Sequence, residues 1–273
     1  MADLFARGMA ASAKDEISQI LSTTGRDLTI VFASEILSYS DAWAWIKARI
    51  SSNDFSGIHV SDYIPILMNG NTIKMQVAGI DTYYDASSVT LGHHIDFISK
   101  DCYQDTVQWN TTDTNNGNAS SPYPYMISNV YTYLNTTLYG YLPSEVTAVI
   151  SDRYGLLEQR YSSSGTLTDS SLYGWQNMGK LWIPNEYEVF GSVIWGTRGW
   201  SAGQSIQYPL FLNTWNNRIK RSSDGGTKSA WWLCTARSGY SNSVCAVNSN
   251  GGYATTLAAS GSQRVPVCFR ITE

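Results

Sequence analysis

Residues 3–21 place Leu4, Met9, Ala13, Ile17 and Leu21 along one stripe, with Asp3 suited to cap the first turn and Gly25 to end the segment. The pattern predicts a short helix. Its apolar stripe is too thin to fold alone, so it needs a partner surface: the same chain, a neighbouring subunit or a larger particle. Leu28, Ile30 and Phe32 then alternate as in a half-buried strand. Ser40-Asp41 offers an N-cap for a helix carrying Trp43, Ile46 and Ile50 and ending near Asn53.

From Tyr63 onward the pattern turns to strands and polar loops. Tyr63 to Leu67 and Ile73 to Ile80 flank Asn69-Gly70-Asn71, a hairpin signal because Asn and Gly tolerate positive φ. The run Ile95 to Ile98 leads into an Asn/Thr/Gly/Ser-rich stretch, Asn110 to Ser121, that reads as a surface loop. Ser128 is placed to cap a helix with Val130, Tyr133 and Leu134, and Pro143-Ser144-Glu145 suits the first turn of another with Val146, Val149 and Ile150. Leu181-Trp182-Ile183-Pro184 reads as a short strand stopped by proline. Trp231 to Cys234, Val244 to Val247 and Val265 to Ile271 are short β-like runs between turn-formers.

This order predicts an α+β protein, with short helices early and a sheet built mostly late. No internal repeat appears, and no Pro/Gly linker long enough to divide the chain. Trp182, Trp232, Leu233, Val247, Val265 and Phe269 are the predicted core. If Trp231 and Trp232 share a strand they point to opposite faces, so one of them is expected to be the more exposed.

Composition narrows the function classes. Only 15% of the 273 residues are charged while 13% are aromatic, which marks a folded, aromatic-rich protein. A net charge of −4 lacks the basic footprint that phosphate neutralisation demands, so nucleic acid is not an expected partner. No apolar run is long enough for a secretory leader or membrane span, which predicts folding in a cytoplasm without membrane insertion. Cys102, Cys234, Cys245 and Cys268 then read as buried thiols, with a bond between Cys234 and Cys245 left open because both fit one hairpin.

Catalytic signals are weak. The carboxylates are scattered, and no nucleophile elbow, phosphate-cradling loop, zinc-protease helix or EF-hand loop is present. His93-His94-x-Asp96 invites a metal reading, yet adjacent side chains on a strand point to opposite faces. No catalytic residue, metal ligand or cofactor is assigned. The segment from Arg237 to Ser262 is instead unusual: six Ser, four Gly, three Asn and two Tyr. Such a mixture resembles a paratope, in which Tyr supplies rigid contact area and Ser, Asn and Gly adaptable hydrogen bonds. Solvated turns use the same residues, so both readings stay open.

Several motifs resemble a known family. The succession Asp62-Tyr63-Ile64-Pro65-Ile66, Ile95-Asp96-Phe97-Ile98-Ser99, Leu142-Pro143-Ser144-Glu145 and Leu181-Trp182-Ile183-Pro184-x-Glu186-x-Glu188 is similar to an uncharacterised domain family of phages and gut Firmicutes. So is the closing signature Trp232-x-x-Thr235, Cys245-Ala246-Val247-Asn248-Ser249-Asn250-Gly251 and Arg264-Val265-Pro266-Val267-Cys268-Phe269-Arg270-Ile271. That family in turn resembles the C-type-lectin-like fold of formylglycine-generating enzymes and of the variable proteins of diversity-generating retroelements. Leu4-Phe5-Ala6-Arg7-Gly8-Met9-Ala10 also resembles the starts of tailed-phage structural proteins.

The resemblance implies a C-type-lectin-like domain over residues 56–273 with a small twisted antiparallel sheet, a strand–helix connector over 26–55, and an N-terminal helix over 1–25 for attachment or assembly. The late loops would present a ligand surface, for which Trp200, Arg237, Tyr240, Asn242, Asn248, Asn250 and Tyr253 have suitable types, as do Asn216 and Asn217. The implied function is a virion component, at tail or head decoration, attaching to a bacterial surface glycan or protein, with other virion proteins and copies of itself as partners. It would be assembled in the host cytoplasm. A purely structural decoration protein is the alternative. A metal-dependent oxidase ranks last, because Cys234 and Cys245 are separated by ten residues rather than closely paired.

Overall fold

The computed structural model describes residues 25–84, 91–161, 173–197, 206–212, 215–252 and 254–273. The predicted helix over 3–21 lies outside them.

Two antiparallel sheets organise the chain. The larger has strand order β1-β2-β3-β13, from β1 (Tyr63–Met68), β2 (Asn71–Ile80), β3 (His94–Cys102) and β13 (Pro266–Thr272). β1 and β2 form the predicted hairpin: Asn69 and Gly70 take φ of 47° and 79°, which suits a tight turn in register with Met68 opposite Asn71. β1 is an edge strand carrying Pro65, with Ile64, Ile66 and Met68 buried and Leu67 exposed between them.

The inner strands are buried on both faces. Phe97 and Phe269 are cross-strand partners, and Trp43 packs edge-on against both rings, at 5.3 and 5.4 Å. Trp43 sits on α3 (Ala42–Ser51), whose N-cap Asp41 accepts the N–H groups of Trp43 and Ala44 at 2.8 Å each, as its sequence predicts. The next pair along the ladder, Asp96 and Arg270, points to the opposite face. There Arg270 grips Asp96 with two hydrogen bonds of 2.7 Å, and Tyr208 donates to the same carboxylate at 2.8 Å. A second buried pair, Arg153 with Glu188, lies nearby, Glu188 also accepting from Tyr83 at 2.7 Å.

The smaller sheet has order β11-β10-β9, from β9 (Trp231–Ala236), β10 (Ser243–Val247) and β11 (Ala254–Ala258). Short pairs complete the structure: β4 (Val107–Gln108) with β12 (Ser262–Gln263), β5 (Tyr154–Glu158) with β6 (Tyr173–Asn177), and β7 (Lys220–Arg221) with β8 (Lys228–Ser229). Ser128 caps α4 (Asn129–Tyr133), and α5 (Ser144–Thr147) follows Pro143, both as expected. One continuous hydrophobic core runs from Leu28 to Ile271 and contains all six predicted core residues.

Three expectations are corrected. Leu28, Ile30 and Phe32 do not form a strand: Asp27 captures the N–H and hydroxyl of Thr29, at 2.9 and 2.6 Å, and starts the helical turn α1 (Leu28–Val31), which continues into α2 (Ala33–Ile36). Leu181 to Pro184 is buried and extended but is not a ladder strand, because its hydrogen bonds go to two partners, Trp182 N–H to Cys268 and Pro184 C=O from Cys234. Trp231 and Trp232 are both fully buried, since each face of β9 is covered. Trp231 stacks on Phe211 and donates Nε1–H to Arg218 O at 2.9 Å, while Trp232 donates to Val107 O at 2.8 Å.

Candidate functional site

The structure splits the predicted surface residues into two groups. Arg237, Tyr240 and Asn242 occupy the turn from β9 to β10, and Asn248 and Asn250 the turn from β10 to β11. These turns lie at opposite ends of β10, roughly 17 Å apart for five extended residues. Asn248 closes its own turn, its Oδ1 accepting Asn250 N–H at 3.0 Å and its carbonyl Gly251 N–H at 2.9 Å. Asn216 and Asn217 belong to the helical turn Trp215–Arg218 near this far end, and Asn217 donates to Leu210 O at 2.8 Å. Trp200 and Tyr253 lie outside the described residues.

The near end forms a cleft. Ile194, Trp195, Gly196, Arg237, Ser238 and Tyr240 line a solvent-open space of about 430 Å³. Arg237 lies 3.6 Å above the Tyr240 ring and 5.3 Å from the Trp195 ring, so the two aromatics flank one guanidinium. Its Nη1 donates to Thr256 Oγ1 at 3.2 Å, and among the described residues no carboxylate pairs with it. Trp195 and Tyr240 stay 42% and 49% exposed, whereas five tryptophans among the described residues are completely buried.

Each wall is fixed from beneath. Helix α6 (Glu186–Phe190) opens with a capping box in which Asn185 and Glu188 satisfy each other's backbone N–H. Glu186, one residue inside, is therefore held in place and turns its buried carboxylate to the following loop, accepting the N–H groups of Ile194, Trp195 and Gly196 at 2.8 to 3.0 Å. Burial pushes its carboxyl above the usual range, and those three donors oppose the shift. Gly196 permits the close approach, because a Cβ there would lie 2.6 Å from Thr235 Cγ2. On the other wall, Tyr240 O accepts from buried Asn115 Nδ2 at 2.8 Å and from Arg160 Nη2 at 3.1 Å, and Asn115 N–H donates to Ser241 O. The tip of the predicted surface loop is thus a support under the β9–β10 turn.

Sequence reasoning named Arg237 and Tyr240 but missed Trp195, Glu186 and Asn115. The N-cap pattern Asn185-x-x-Glu188 signals the helix, but no local signal assigns Glu186 to a loop eight residues on.

The cysteine thiols lie away from solvent. All four cysteines are free and buried. Burial pushes the Cys102 thiol up to about 12 and raises Cys234, Cys245 and Cys268 as well, so thiolate is not their form near neutrality. His94 is driven toward its neutral form by burial, while Asp96 is engaged by Arg270. Among the described residues no three His, Cys, Asp or Glu side chains gather to hold a metal ion, and no helix is long and apolar enough to cross a membrane. A recess lined by Glu158, Arg160 and Cys234 has only about 20 Å³, room for a single water.

Fold and cleft together define an α+β domain that displays Arg237 and Tyr240 on a turn of its smaller sheet and Trp195 on the loop after α6. Residues 97–273 match the family DUF6273, a domain of unknown function, and the chain belongs to that family. The matched segment begins within β3 and includes every residue of the cleft. No curated protein and no solved structure matches the chain.

Proposed function

We propose that this chain is a non-enzymatic virion component of a tailed phage, at the tail or head decoration, whose C-type-lectin-like domain docks a bacterial surface ligand in the Trp195–Arg237–Tyr240 cleft. Small antiparallel sheets joined by long irregular segments, with turns of the late strands facing solvent, agree with that fold. The observation that carries the reading is the half-exposed pair of aromatic rings around an arginine without an acidic partner among the described residues. Tyr, Trp and Arg are the side chains that dominate binding energy at interfaces. The buried, protonated thiols favour binding over chemistry.

A purely structural decoration role draws on another surface. Ile30, Val31, Leu37 and Tyr39 are all exposed within one short stretch, an apolar run suited to burial against another copy of the chain. Attachment of labelled protein to host cells separates the two roles. Tyr240→Ala should reduce attachment while thermal unfolding stays within the change of about 0.5 kcal/mol typical of exposed positions. Full attachment by that variant would leave the structural role.

A further inference from the structure

We propose that the ligand of this cleft is an acidic saccharide, its sugar ring lying on the aromatic walls and its carboxylate gripped by Arg237. The inference rests on the reading of the cleft as a binding site and names what that site takes.

The shape argues for a saccharide. The cleft is open to solvent, and its volume of about 430 Å³ lies within the range of small-ligand sites. Trp195 and Tyr240 are half exposed, and the aromatic surface that Arg237 leaves uncovered is of the kind on which the C–H face of a pyranose stacks while its hydroxyls stay wet. Trp195 is prevented from swinging away, because its Nε1–H donates to Ala254 O at 3.2 Å and its carbonyl accepts Ser238 N–H at 2.8 Å. The walls are therefore pre-set, which reduces the ordering cost of a weak, solvated ligand.

The charge argues for a carboxylate. Among the described residues Arg237 is the only charged one lining the cleft. Stacking on Tyr240 covers a face of the guanidinium and leaves its in-plane N–H donors available; Thr256 takes only Nη1. The edge formed by Nε and Nη2 matches a planar carboxylate in the two-pronged geometry that arginine favours. A phosphate-rich polymer is a poorer fit, since among the described residues no second cation lines the cleft and the chain carries a net charge of −4.

The test titrates isotope-labelled full-length protein with three probes: an oligogalacturonate, the same oligosaccharide as its methyl ester, and a glycerol phosphate oligomer. The acidic sugar should shift the Arg237 Nε–H and Trp195 Nε1–H resonances, with the ester at least about tenfold weaker. Arg237→Lys keeps the charge but not the fork or the stack, and should weaken the acidic sugar to a similar degree, while thermal unfolding reports whether it folds. Equal binding of ester and acid, preference for glycerol phosphate, or resonances that do not move in the wild-type protein would overturn the proposal. Tyr240-dependent cell attachment in the absence of any acidic-sugar binding would sink this inference and leave the proposed function standing. Loss of both would remove both.

Discussion

Both carboxylate oxygens of Glu186 accept the backbone N–H of Trp195, each at 3.0 Å. A side chain at the first turn of α6 thereby sets the position of an exposed aromatic on the following loop, and the same carboxylate also takes the N–H groups of Ile194 and Gly196. Three backbone donors converging on a buried anion are strong, charge-assisted bonds. Glu186→Gln keeps the shape but removes the charge and turns one acceptor into a donor. The expected cost is about 1–3 kcal/mol. Hydrogen exchange at residues 194–196 should accelerate while the β13 amides keep their protection. Unchanged exchange at those three amides would show that the loop is held by other means.

Asn115 plays the matching part under the other wall. Its Nδ2 donates to Tyr240 O and Ser243 O, and the side chain is fully buried. Asn115→Ala removes one donor from each of these part-buried carbonyls and the buried amide itself, and should destabilise the protein by about 1–3 kcal/mol. The Tyr240 ring should become more mobile, read as narrowed tyrosine ring resonances. A variant with wild-type stability and wild-type ligand affinity would show that Arg160 and the backbone bonds support the turn without the Asn115 amide.

The division between what the residues reveal and what they conceal follows the range of the interactions. Asn69-Gly70, Asp41 and Ser128 act on backbone atoms one to three positions away, so their hairpin, cap and helix are readable directly. Asp27 acts just as locally, but the alternation of Leu28, Ile30 and Phe32 masks it. Trp231 is misjudged because the alternation rule assumes one wet face, and Phe211 covers it. Within the cleft, Arg237 and Tyr240 are legible from residue type and turn context. Asn115 and Tyr240 lie 125 positions apart, and no pattern in a single chain signals that meeting. Asn248 and Asn250 have the right composition but sit beyond the length of β10, a separation that composition does not encode.

Burial of both faces of β9 changes the expected mutational response. Trp231→Ala and Trp232→Ala should each cost about 3–5 kcal/mol, because each truncation opens a cavity and leaves an indole acceptor, Arg218 O or Val107 O, without its donor. Denaturant unfolding of the two variants should give similar losses. A near-silent Trp231→Ala would restore the view that one face of the strand is wet.

The Asp96–Arg270 pair gives the protein an acid limit. Burial alone would push the Asp96 carboxyl up, but the charge and hydrogen bonds of Arg270 hold it down at about 2. A carboxyl with a folded pKa below its unfolded value of about 3.9 contributes its full stability above that value and loses it as pH falls through the folded pKa. Stability should therefore drop between about pH 4 and pH 2. Arg270→Met leaves a buried charge without its partner, which should cost about 3–5 kcal/mol at neutral pH and move the acid transition upward. A variant whose acid midpoint stays put would show that other carboxylates set the limit.

The family match begins at Phe97, yet the packing does not. β3 is an inner strand: Val77 on β2 pairs with Phe97 from one side, and Trp43 on α3 covers the Phe97–Phe269 pair. A chain reduced to residues 97–273 would lose buried Trp43, Ile46, Ile50, Ile64, Met75 and Val77. Each such side chain contributes about 1.5–3 kcal/mol on burial, so together they rival the roughly 5–15 kcal/mol by which a domain is stable. The truncation would also turn β3 into an exposed apolar edge, a template for aggregation. The fragment should lack a cooperative thermal transition and should associate, whereas the full chain should melt in one step. A monomeric fragment with a sharp transition near that of the full chain would show that residues before Phe97 are an addition to the fold and not part of its core.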